Sequence, residues 1–101
     1  MKYKKGISYV KIVIGKDPKN DSYYDTVGLG YYYLEDYYKS LEYLNKALEL
    51  EPESENVAEY YYNRGKVYEA LNAKSKAKID FERALECDNS YNNAKIALKN
   101  L

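Results

Sequence analysis

Histidine is absent from the 101 residues, and cysteine occurs once, at Cys87. Without His and with one Cys, neither the usual zinc ligand sets nor a Ser-His-Asp or Cys-His arrangement can be assembled. An enzyme built on this chain would have to work with carboxylates, Lys or Tyr alone. No such set stands at catalytic spacing, so the expectation is a non-enzyme with no metal and no cofactor. A lone cysteine excludes an internal disulfide framework and fits a reducing compartment, which implies a cytoplasmic location. Long apolar runs are missing too, since none approaches the roughly twenty residues that span a bilayer. The opening Met1-Lys2-Tyr3-Lys4-Lys5 and the stretch from Ile7 to Gly15 imitate a signal peptide, but Lys11 interrupts the stretch and no small-residue cleavage site follows.

Net charge is also lacking. Sixteen basic residues balance sixteen acidic ones, so no overall field favours nucleic acid or an anionic membrane. The distribution is uneven, with five lysines and no acid in residues 1–16, then eleven acids against three lysines in residues 17–60. What is abundant is tyrosine, fifteen in all. Tyr fills cores as well as interfaces, where it offers a large area with few rotatable bonds. The length suits one small domain.

The chain repeats itself. Aligning Gly28 with Gly65 brings Tyr24 onto Tyr61, Tyr31 onto Tyr68, Ser40 onto Ala77, Leu44 onto Phe81, Ala47 onto Ala84 and Pro52 onto Asn89, all at an offset of 37 residues. A second match, at an offset of 34, lays Asp17-Pro18 on Glu51-Pro52 and Gly6, Val10 and Val13 on Ser40, Leu44 and Ala47. Tyr24, Val27, Gly28 and Tyr31 recur at the spacing of one helical face, and Ser40, Leu44, Ala47 and Leu48 form a matching stripe. Small residues at Gly28, Ser40, Gly65 and Ala77 allow close approach of paired backbones. Asn56 with Glu59, and Ser22 with Asp25, have the spacing of capping boxes. Asp17-Pro18 and Glu51-Pro52 read as helix stops, because proline pushes the preceding residue out of the α region. Six helices follow, near 3–16, 21–34, 37–50, 56–71, 74–87 and 91–100. Residues 7–14 are β-branched enough to form a strand, but the repeat register favours helix.

These residues resemble the tetratricopeptide-repeat (TPR) family, whose 34-residue unit carries an aromatic, a Leu-Gly-like pair and a Tyr in its first helix, then Ala, an aromatic, Ala and a closing Pro. One unit here reads Tyr24, Val27-Gly28, Tyr31, Ser40, Leu44, Ala47, Pro52, and the next Tyr61, Arg64-Gly65, Tyr68, Ala77, Phe81, Ala84, Asn89. Arg64 at an apolar position, Asn89 for Pro, and about three extra residues around 52–56 depart from the pattern. The resemblance implies an all-α fold of antiparallel helix-turn-helix repeats, stacked as a short right-handed superhelical solenoid. Residues 1–101 would form a single domain, with 3–20 an unpaired second helix of a truncated repeat, 21–54 and 55–90 the repeats, and 91–101 a capping helix.

The resemblance also implies binding of another protein or peptide in a concave groove lined by first helices. The groove positions would be Ser22, Asp25, Leu29, Tyr32 and Tyr33, then Glu59, Tyr62, Asn63, Lys66 and Glu69, suited to apolar or aromatic anchors with some basic residues. The family's two-carboxylate clamp, which grips acidic chaperone tails, is matched at Asn63 only. Asp25, Leu29, Asn93 and Ala97 stand where Lys, Asn, Lys and Arg belong. Since an unpaired stripe marks an interaction site, Ile7, Val10 and Ile14 on the first helix are expected to drive self-association as a homodimer, the alternative function. Tyr31–Tyr33 and Tyr60–Tyr62 do not read as base-stacking platforms, because consecutive helix residues face different ways among acids. Glu35, Asp36, Glu51, Glu53 and Glu55 read as solvated acids, and Cys87 as an inert small hydrophobe on a packing stripe.

Overall fold

The computed structural model describes residues 2–50 and 52–101. Met1 and Glu51, and with Glu51 part of the expected Glu51-Pro52 stop, lie outside the described residues. Six helices occur among the described residues: α1 Lys2–Lys16, α2 Asp21–Tyr33, α3 Tyr37–Leu50, α4 Val57–Ala70, α5 Lys74–Cys87 and α6 Asn92–Lys99. No strand forms among the described residues, and residues 7–14 are helical. The chain divides into two compact units, Met1–Pro52 and Glu53–Leu101.

In the first unit, α2 and α3 form a helical hairpin and α1 packs on α2. The hairpin closes at Leu34-Glu35-Asp36. Glu35 takes the left-handed conformation at φ 63°, its N–H donates to Tyr32 O (3.0 Å), and Asp36 N–H donates to Tyr31 O (3.0 Å). That pair of bonds satisfies the last helical carbonyls, as in glycine-closed helix ends. Asp36 then starts α3, its Oδ1 accepting from Lys39 N–H at 3.3 Å. Val27, Leu44 and Ala47 are fully buried between the two helices. At Gly28 a Cβ would stand 2.7 Å from Leu44 Cγ, and Ser40 Oγ donates to Gly28 O at 2.6 Å. Glycine and serine therefore set the helix separation together.

The second unit repeats this design 37 residues on. Asn72 is left-handed at φ 62°, with Asn72 N–H to Glu69 O (2.9 Å) and Ala73 N–H to Tyr68 O (2.8 Å). Gly65 faces Phe81, whose Cε1 would lie 2.5 Å from a Cβ. Ala77, Phe81, Ala84 and Ala94 form the centre of the core, wrapped by Tyr61, Tyr62, Tyr68 and the α6 residues Ala97 and Leu98. Where the first unit stops a helix with Asp17-Pro18, this one stops α5 without proline. Asp88 Oδ1 accepts from Ser90 N–H (3.0 Å) and Ser90 Oγ (2.6 Å), and these bonds hold the Asp88 carboxyl below its usual pKa.

Three local expectations are corrected. Helix α2 begins at Asp21, so Ser22 sits inside it and gives its Oγ–H to Asn20 Oδ1 at 2.7 Å instead of capping. Asn56 does stand at the N-cap of α4 but makes no side-chain capping bond. Cys87 is exposed and not on a packing stripe.

Arg64 is the departure with the largest structural answer. Its guanidinium bonds Asp80 through Nε and Nη2, both at 2.8 Å, and Asp80 is only 2% exposed. Burial opposes the charge on Arg64 most strongly. The hydrogen bonds and attraction of Asp80, with Tyr68 and Tyr61, nevertheless hold its pKa above the ordinary arginine value.

Candidate functional site: the groove between the first two helices

The packing of α1 on α2 depends on Gly30, where a Cβ would stand 2.9 Å from Ile7 Cγ1. Ile7 is buried there. Around this contact the two helices leave an open hollow of about 350 Å³, with Ile7, Val10, Val27, Leu29 and Gly30 among its lining. Tyr3 and Tyr33 form one wall, their rings stacked with centroids 5.1 Å apart and planes inclined by 20°. Lys2 and Thr26 complete the border, so the charge at this site is positive. Tyr33 keeps 48% of its surface exposed. An aromatic wall beside an aliphatic floor, with few polar groups, is the surface on which apolar side chains of a partner gain most from leaving water.

On the other flank of Ile7, a second hollow of about 510 Å³ is bordered by Lys4, Ser8, Lys11, Tyr31 and Asp36. Lys11 Nζ donates to Tyr31 Oη at 2.7 Å and lies over the Tyr31 and Tyr43 rings, 5.3 and 5.7 Å from their centroids. The bond to Tyr31 raises the Lys11 pKa despite partial desolvation. This flank is more polar than the first, with Lys4, Lys11 and Asp36 on its border.

Residues 21–90 match the family model described as tetratricopeptide repeat. The chain belongs to the TPR family. Among solved structures, the first TPR domain of Spaghetti (RPAP3), bound to the HSP90 peptide SRMEEVD, is similar at 25% identity and a TM-score of 0.89, covering 98% of this chain and 76% of that one. The TPR domain of OM64 from Arabidopsis is similar at 23% identity and a TM-score of 0.89, covering 98% and 79%. MamA is similar at 25% identity and a TM-score of 0.82, with 95% of this chain but 54% of that chain covered. No curated protein matches the sequence. The all-α TPR fold is thus established by sequence and by shape, and TPR domains are protein-interaction modules.

The expected groove positions fare differently. Leu29 and Tyr33 border the α1/α2 groove, and there they meet Ile7 and Val10 from the stripe assigned to self-association. Ile7 is spent within the chain and Val10 and Ile14 are half-buried, so the most exposed apolar residues of α1 are Tyr9 (69%) and Ile12 (63%). Tyr32 turns aside, its ring 5.3 Å from Tyr33 and 5.9 Å from Tyr37. Asp25 is buried and Ser22 exposed. In the second unit Glu59 and Glu69 are exposed and Asn63 is buried. Tyr62 packs against Phe81 (5.8 Å) and Tyr91 (5.5 Å), under Lys66 Nζ at 5.0 Å.

At the clamp positions, Asp25 and Asn63 are buried, Leu29 and Ala97 half-buried and Asn93 exposed; none is cationic. Sequence reasoning did not assign Lys2, Tyr3, Gly6, Thr26, Val27 or Gly30 to this groove, although a glycine inside a helical pattern was the available signal for close approach at Gly30. Among the described residues no group of His, Cys, Asp or Glu could hold a metal ion, and no helix is long and apolar enough to cross a membrane. The exposed Cys87 thiol has its pKa raised by desolvation and by Glu86 and Glu53, which lowers its reactivity.

Proposed function

We propose that this TPR chain binds a segment of another protein, and that the α1/α2 groove holds it. The observation that carries this reading is the apolar hollow walled by the stacked Tyr3 and Tyr33. Support comes from the similar Spaghetti domain, which binds a peptide. The chemistry differs from a carboxylate clamp, since Asp25 and Leu29 replace the cations and amides that such a clamp needs. Apolar and aromatic anchors fit the floor at Val10 and Leu29, and the tyrosines supply area at small entropic cost.

The test is selection of peptides from a random library on the immobilised whole chain, followed by titration. Selected peptides are expected to carry apolar or aromatic anchors and to lose about tenfold or more in affinity on Tyr33→Ala or Leu29→Asp, the scale of a hot-spot truncation. Undiminished binding to a folded Tyr33→Ala chain, with an unchanged melting curve, would sink the assignment.

A further inference from the structure

The second hollow, on the other flank of Ile7, collects hydrogen-bond donors that the repeat does not use. Lys4, Ser8 and Lys11 stand at i, i+4 and i+7 on one face of α1, and all three border this space of about 510 Å³ together with Tyr31 and Asp36. Their counterparts 34 residues on, in α3, are Tyr38, Glu42 and Asn45, and those 71 residues on, in α5, are Ser75, Ile79 and Glu82. Helix packing therefore does not require the Lys-Ser-Lys triplet. Nor does the triplet lie where a hairpin partner of α1 would. Helix α3 meets α2 through Ser40, Leu44 and Ala47, which correspond to Gly6, Val10 and Val13. A helix paired with α1 in that way would leave Lys4, Ser8 and Lys11 uncovered.

One cation of the hollow is already fixed. Lys11 Nζ donates to Tyr31 Oη at 2.7 Å and rests over the Tyr31 and Tyr43 rings, so little freedom is left to lose on binding. Because Tyr31 Oη accepts that bond, its own hydrogen remains to be donated. Among the described residues no ion pair joins Lys4 or Lys11 to a carboxylate. Asp36, the one acid of the lining, has Oδ1 occupied by Lys39 N–H at the start of α3.

We propose that this hollow binds a phosphate monoester, with Lys4, Ser8, Lys11 and Tyr31 donating to its oxygens and Ile7 and Leu34 beneath the group that carries it. A monoester brings a charge of about −1.5 to −2 and three acceptor oxygens, which answer two ammonium groups and two hydroxyls. A carboxylate has half that charge and one oxygen fewer, and leaves donors unmet. The monoester is the same chemistry on a small molecule or on a phosphoserine of a partner.

The test is titration of the isotope-labelled whole chain with glycerol phosphate and with a capped phosphoserine peptide, followed by amide chemical shifts. Acetate and the unphosphorylated peptide are the controls. Saturable shifts centred on Lys4, Ser8, Lys11 and Tyr31 are expected with both phosphates and with neither control. Lys4→Gln and Lys11→Gln should each weaken binding about fivefold or more, and Tyr31→Phe, which keeps the ring, about threefold. Asp36→Asn, which keeps a capping side chain, should tighten it about threefold. Lys16→Gln, on the same helix but off the hollow, should change nothing, and an equal loss there would reduce the site to diffuse attraction and overturn it. Binding that acetate matches, shifts that do not saturate, or undiminished affinity in Lys4→Gln and Lys11→Gln chains with parental melting curves would overturn it too. Tighter binding of the peptide than of glycerol phosphate would support a phosphorylated partner as the carrier, and the reverse a small phosphate.

Discussion

The hairpins α2–α3 and α4–α5 share one backbone design and solve one packing problem differently. In each, two tyrosines of the first helix, Tyr24 and Tyr31 or Tyr61 and Tyr68, flank a slot. In the first hairpin the slot is taken by Tyr43 of the opposite helix, 6.3 Å from Tyr24 and 5.6 Å from Tyr31, above a buried Val27. In the second it is taken by the Arg64 guanidinium, 5.5 Å from the Tyr61 ring and 5.9 Å from that of Tyr68. Arg64 stands at the position of Val27 and Asp80 at that of Tyr43. What the slot requires is a flat group with a π-face neighbour, which a phenol ring and a guanidinium both supply. A charge in the slot requires a second change, because a buried cation without a counterion is costly.

The largest expected effect breaks that comparison at its charged end. Arg64→Ala leaves Asp80 buried without its bidentate partner and should cost about 3–5 kcal/mol in a urea titration. The double change Arg64→Val with Asp80→Tyr copies the first hairpin and should return stability to within about 1–2 kcal/mol of the parent. A single-variant loss below about 1 kcal/mol would mean that the pair is an ordinary surface bridge.

Next come the glycines at the helix crossings. Gly65→Ala and Gly28→Ala each drive a methyl into a fully buried side chain. Overpacking of this kind costs about 1–3 kcal/mol, partly offset by the better helix propensity of alanine, up to about 1 kcal/mol. Gly65→Ala should melt lower than Gly28→Ala, because the Phe81 ring is flat and rigid whereas Leu44 can change rotamer. Adding Phe81→Leu should narrow the gap. Equal melting shifts would show that backbone movement, and not the facing side chain, absorbs the methyl.

The smallest effect lies in the two turns. Glu35→Gly should stabilise by about 0.5–1 kcal/mol, since glutamate holds a left-handed conformation there. Asn72→Gly should gain only about a few tenths, because asparagine tolerates that region. Thermal melts of the two variants compare them directly, and a larger gain at Asn72 would contradict the shared turn.

The helices were legible because Tyr24, Val27, Gly28 and Tyr31, and their counterparts 37 residues on, recur at 3.6-residue spacing. Four of the ten residues that line the candidate groove, Leu29, Tyr33, Ile7 and Val10, stand among the positions that periodicity singles out. Their spacing alone assigns them to two surfaces, since periodicity tells which residues share a face and not which faces meet. Asp25 and Asn63 were read as groove residues yet are buried, because helical offset fixes direction about an axis and says nothing of what lies beyond it.

By itself the sequence determined the all-α class, the repeat, its register and the small residues where backbones approach, since each depends on local spacing along one helix. Tertiary structure alone decided that Arg64 reaches Asp80 sixteen residues away and that Ile7 closes on Gly30. It also decided that α1 and α2 leave a hollow walled by Tyr3 and Tyr33. Those outcomes depend on the shape and charge of a neighbour brought near only by folding, which no pattern within a single helix records.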